Sequence, residues 1–112
     1  MRHEYVATRE ESLLLLIDFQ QGLLKAVDSW EAIARKATQL IRAADALGVP
    51  VLVTEQYRKG LGETLADLFR EIKSPVVFQK EYFSACLEMD FLPTVHSFHR
   101  HKIVAVGLEA HV

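Results

Sequence analysis

Apolar residues run without interruption from Leu13 to Ile17 and give way at once to Asp18, followed by Phe19, Gln20, Gln21 and Gly22. So short and uniform a run reads as a strand covered on both faces, the kind found at the centre of a parallel sheet. The next pattern has a different period: Ile33, Ala37, Leu40, Ile41, Ala44 and Leu47 recur at helical spacing and form one apolar stripe. Asp28 with Glu31 three residues later predicts a capping box at the start of this helix. Gly48 and Val49-Pro50 predict its end. Val51–Thr54 reads as a second buried strand, and Glu55–Gly62 as a polar loop with two glycines. A short helix over 64–72, a strand over 76–79, a helix over 91–98 with Pro93 in its first turn, and a strand over 103–106 closed by Gly107 complete the pattern.

Strands alternating with helices in this way predict a doubly wound α/β fold with a parallel sheet. All 112 residues read as one domain, with no repeat or linker. A parallel sheet normally follows each strand with a covering helix, and the final strand ends just before Val112, so the fold is expected to be cut short on its carboxyl side. The net charge of −2 gives no reason to expect nucleic acid or an anionic membrane as partner. No apolar run approaches the roughly 18 residues a membrane span needs. The amino end, Met1–Glu11, lacks the apolar segment of a signal peptide. A single cysteine, Cys86, fits a reducing compartment, and the expected location is cytoplasmic.

Loops that follow parallel strands all open on one edge of the sheet, so residues distant in sequence can meet there. The first strand delivers Asp18 and Gln20, the second Thr54, Glu55 and Gln56, the third Gln79 and Lys80, and the fourth leads towards Glu109 and His111. Asp18 stands out. A carboxylate is costly to bury and poor at forming strand, so its place at the end of an apolar strand points to chemistry or to a cap. A lysine after a strand, such as Lys80, is equally compatible with a solvated loop.

The segments Leu14–Gln20, Thr54–Gly62, Lys80–Ser84 and Gly107–Val112, taken in order, resemble the isochorismatase-like cysteine hydrolases. The resemblance is nearest to the isochorismatase domain-containing proteins, in which a TEQY-x-KGLG loop follows the second strand. It implies a three-layer, Rossmann-like fold with a mostly parallel sheet. It also implies an Asp-Lys-Cys triad, with Asp18 as general base and Lys80 as the cation that stabilises thiolate and carboxylate. The nucleophilic cysteine of such a triad would occupy the position after Val112. The resemblance further implies a strained cis peptide at Leu108–Glu109, which would aim backbone amides at an oxyanion. Gln20, Gln56, Tyr57 and Phe19 are the expected lining of the substrate pocket.

The implied activity is hydrolysis of a small molecule, in the first instance an amide, with no cofactor and with assembly into a homo-oligomer. Two alternatives stand beside it. Asp18 could act as general acid on a vinyl ether without a cysteine, or the fold could serve a non-catalytic interaction. Relatives that are nicotinamidases carry an Asp-x-His and a further histidine after the second strand. This chain has Thr54-Glu55-Gln56-Tyr57 there and no histidine between His3 and His96, which argues against a metal and against nicotinamide. His96, His99 and His101 share no face and read as surface residues. Cys86 lies away from any strand-to-helix turn and reads as an inert packing residue. No G-x-G-x-x-G follows the first strand, so a dinucleotide is not expected.

Overall fold

The computed structural model describes residues 8–24, 28–56, 62–80 and 88–107. The described elements are β1 (Ser12–Ile17), α1 (Gln21–Leu24), α2 (Trp30–Leu47), β2 (Val51–Gln56), α3 (Ala66–Phe69), β3 (Val76–Lys80), α4 (Phe91–His96) and β4 (Lys102–Gly107). The four strands form one sheet in the order β3-β2-β1-β4, and every pairing is parallel. The chain moves outward from β1 through β2 to β3, then returns to pair β4 on the opposite side of β1. The order therefore reverses between β1 and β4, and a doubly wound sheet opens its ligand crevice beyond the strand ends at such a reversal.

Alternation along the strands divides the core into two layers. Leu14 and Leu16 of β1 and Val51 and Val53 of β2 pack against Ala37, Ile41 and Ala44 of α2 and Leu68 of α3. On the opposite face Leu13, Leu15 and Leu52 meet Phe91 and Val95 of α4. Phe78 joins this second layer through an edge-to-face contact with Phe91, the rings 5.4 Å apart. Leu13 to Leu16 are all buried, as expected of a strand with helices on both sides, and burying each such side chain stabilises the fold by about 1.5–3 kcal/mol. β4 is less covered, with Ile103 and Val104 48% and 38% exposed.

Two expectations about α2 need correction. The helix starts at Trp30 with Ser29 in the capping position, and no side chain caps it, so Asp28 does not form the predicted box. Glu31 still lies in the first turn, where a negative charge suits the helix dipole. The apolar stripe is also narrower than its spacing predicts. Ala37, Ile41 and Ala44 are buried, whereas Leu40 and Leu47 remain exposed because the helix lies over β1 and β2 and reaches little of β4. The end of the helix is as expected: Gly48 adopts φ 73° and its backbone N–H bonds back to the last turn. Pro93 occupies the first turn of α4, where its missing N–H is not needed. The helix expected over 64–72 shortens to Ala66–Phe69, and Arg42 of α2 clamps its downstream side by a two-point contact with Glu71.

Candidate active site

Asp18 directly follows β1 and takes a left-handed backbone conformation, φ 57°. Such an angle is uncommon outside glycine, although Asp and Asn tolerate it better than most residues. It changes which way the chain faces. By simple alternation Asp18 would share the α2 side with Leu14 and Leu16, and Phe19 would share the α4 side. Instead Phe19 is fully buried in the α2 layer, and the Asp18 carboxylate meets Thr54 and Lys80, which stand two residues from Leu52 and Phe78 and so share the α4 side with them. One left-handed residue thus moves the acid into the layer where the lysine is waiting. The turn is held by its own backbone: Gln20 N–H donates to Asp18 O at 2.8 Å.

The two charges expected to meet do so. Lys80 Nζ lies 2.9 Å from Asp18 Oδ2, and both residues are almost entirely buried, at 2% and 4% exposure. The second carboxylate oxygen, Oδ1, accepts a hydrogen bond of 2.8 Å from the Thr54 hydroxyl. The Thr54 carbonyl also accepts the Asp18 backbone N–H at 3.2 Å, so β2 grips this residue at two points. Burying an ion pair is favourable only where geometry and hydrogen bonds offset the loss of water. A carboxylate held in a fixed direction beside an ammonium is able to give or take a proton at a buried centre.

Three other expected site residues, Gln20, Phe19 and Gln56, lie among the described ones. Gln20 is fully buried and occupied: Nε2 donates to the carbonyls of Gln56 and Gly62 at 2.9 and 2.8 Å, and Oε1 accepts from Gln56 N–H at 2.7 Å. It fastens Gln56 to Gly62 and braces this end of β2. Phe19 is likewise a core residue with no exposed surface to offer a ligand. Gln56 is half-buried at the end of β2, its backbone engaged by Gln20. Tyr57, Leu108 and Glu109 lie outside the described residues, as do Cys86 and His111.

Glu55 does not join the convergence expected of it. Its Oε2 accepts from both the backbone N–H and the hydroxyl of Thr64, at 2.7 and 2.6 Å, on the α3 side of the sheet. It lines a cleft of about 370 Å³ with Phe69, Arg70, Val77 and Gln79, on the face of the sheet opposite the ion pair. His96, His99 and His101 are all exposed. Among the described residues no three His, Cys, Asp or Glu side chains form a group fit for a metal, and no helix is long and apolar enough to cross a membrane. Sequence reasoning placed Thr54 at this edge without giving it a role, and its hydroxyl proves to hold Asp18. The available signal was a polar residue ending the Val51-Leu52-Val53 run, next to the strand that carries Asp18.

Residues 12–112 match the isochorismatase domain. The chain belongs to the isochorismatase family. It is 30% identical over 108 residues to isochorismatase family protein 1B of Dictyostelium discoideum, covering 92% of this chain and 52% of that relative. The fold superposes on the MAR1 ribonuclease of Caenorhabditis elegans with a TM-score of 0.83 and 32% identity, covering 95% of this chain and 54% of that one. It also superposes on the YcaC gene product of Escherichia coli, described as an octameric hydrolase of unknown specificity. That match has a TM-score of 0.85 at 18% identity, covers 96% of this chain and 55% of YcaC, and speaks to the fold alone. The chain thus spans about half the length of the relatives it matches. Its three-layer, parallel α/β architecture is that of the isochorismatase-family hydrolases.

Proposed function

We propose that the full-length protein is a hydrolase that cleaves a C–N bond in a small molecule, with Asp18 as the proton carrier and Lys80 as its charge partner. The buried contact of 2.9 Å between Lys80 Nζ and Asp18 Oδ2 carries this reading. Nothing in packing alone favours placing two charges in an apolar layer.

In this reading a cysteine supplied after β4, at the position following Val112, is the nucleophile. Its thiol proton passes to the Asp18 carboxylate and its sulfur attacks the amide carbon. When the tetrahedral intermediate collapses, the C–N bond breaks and the departing amine takes the proton from Asp18, leaving a thioester. Water gives a proton to Asp18, adds to the thioester carbon and releases the acid, while the thiol recovers its proton. The ammonium of Lys80 lies against the carboxylate and offsets the negative charge that the site carries through these steps. The proposed assembly is a homo-oligomer, and the proposed substrate is a small molecule. An RNA substrate, raised by the name of the C. elegans relative, finds no support in a net charge of −2.

The test is to assay the full-length protein and its Asp18→Asn variant on a panel of small amides, read by amine or ammonia release, and of vinyl ethers, read by carbonyl release. Amide turnover that is lost in Asp18→Asn supports the proposal. Undiminished turnover in the variant refutes the role of Asp18. Turnover of vinyl ethers alone replaces C–N cleavage with general-acid chemistry at the same carboxylate. A folded protein inactive on both panels favours a non-catalytic role.

A further inference from the structure

We infer that Thr54 is the positioning residue of this site: its hydroxyl determines which carboxylate oxygen of Asp18 exchanges protons. The inference rests on the reading of Asp18 and Lys80 as catalytic partners and goes one step deeper. A carboxylate has two equivalent oxygens and rotates readily about its terminal torsion. A lysine ammonium is a compact charge with three donors and does not by itself choose between them. Thr54 makes the choice. Its hydroxyl donates to Oδ1 at 2.8 Å, which leaves Oδ2 facing Lys80 at 2.9 Å.

The position is a poor one for a hydroxyl unless that bond matters. Thr54 is fully buried within β2, directly after the apolar run Val51–Val53, on the side of the sheet that holds Leu52 and Phe78. Valine has nearly the same shape, forms strand as readily and brings no polar atom to bury. Among the described residues the hydroxyl makes one hydrogen bond, and that bond goes to Asp18. The Thr54 carbonyl also holds the Asp18 backbone N–H, so the same residue secures the left-handed turn and the direction of the acid. Oδ2 is buried, and no donor other than the facing ammonium reaches it among the described residues. All proton traffic at Asp18 therefore passes through one oxygen whose direction is set from β2.

The experiment compares full-length wild type, Thr54→Val, Thr54→Ser and Asp18→Asn. The kinetic probes are benzamide and acetamide, read by ammonia release, and crystal structures of the same proteins are determined. Thr54→Val is expected to lower kcat about 10–100-fold with KM changed less than about twofold, while Thr54→Ser stays within about threefold of wild type. In the Thr54→Val crystal the carboxylate is expected to turn so that Lys80 shares both oxygens, and in Thr54→Ser to keep the wild-type direction. Wild-type kcat in Thr54→Val, with Asp18→Asn inactive, overturns this inference and leaves the catalytic reading standing. Activity retained in Asp18→Asn overturns the catalytic reading itself. If neither amide is turned over, the crystals decide, and an unmoved carboxylate in Thr54→Val overturns the inference. If Thr54→Val does not fold, Thr54→Ala takes its place in every comparison.

Discussion

Replacing Lys80 by methionine isolates the energetic consequence of the buried pair. Methionine keeps most of the length and all of the apolar character of the lysine stem, so the packing of that stem changes little. What is lost is the charge 2.9 Å from Asp18 Oδ2. Oδ1 keeps its hydrogen bond from Thr54, but Oδ2 is left buried with no other donor among the described residues. Removing one partner of a buried ion pair costs about 3–5 kcal/mol, which is a large share of the roughly 5–15 kcal/mol by which a domain is stable. Urea unfolding of the full-length protein measures it. With a slope of about 2 kcal/mol/M, the midpoint falls by about 1.5–2.5 M. The double variant Lys80→Met with Asp18→Asn is expected to be more stable than Lys80→Met alone, because no unpaired carboxylate remains. A loss below about 1 kcal/mol, typical of exposed pairs, would refute the reasoning, as would a double variant no better than the single one.

Two further outcomes follow from the braces around the site. Gln20→Ala removes three hydrogen bonds to Gln56 and Gly62, so stability falls by about 1–3 kcal/mol in urea unfolding; an unchanged midpoint would count against the brace. Glu71 is held below its ordinary value of 4.5, first by the hydrogen bond from Arg42, so the pair stabilises the fold above that value and the gain disappears as pH falls through the lowered one. The melting temperature of Glu71→Gln should accordingly lie slightly below wild type at pH 7 and converge with it on acidification or at high salt. A gap that widens in acid would reverse the assigned sign.

Much of this architecture is legible in the residues, and the exceptions have physical causes. The Leu13–Ile17 run marks the central strand because burial on both faces leaves no polar positions. Lys80 and Asp18 can be placed at one sheet edge because parallel strands share a direction. Which side of the sheet the acid serves is not legible, since alternation assigns it to the α2 layer and only the left-handed turn moves it across. The same turn explains why Phe19 belongs to the core. Gln20 reads as a ligand contact by its position, and only the approach of the β2 loop from 36 and 42 residues away shows that its amide is already engaged. Asp28 misses the cap because the helix starts one residue later than the Asp28/Glu31 spacing requires.

The backbone angle at Asp18 also restricts how this centre can be probed by mutation or changed by evolution. A β-branched or bulky replacement removes the acid and straightens the turn together, so inactivity in Asp18→Val would say nothing about proton transfer. Asparagine keeps both the tolerance for that angle and an oxygen for the Thr54 hydroxyl. Any route that trades this acid for another chemistry must first cross a narrow set of residues able to make the same bend.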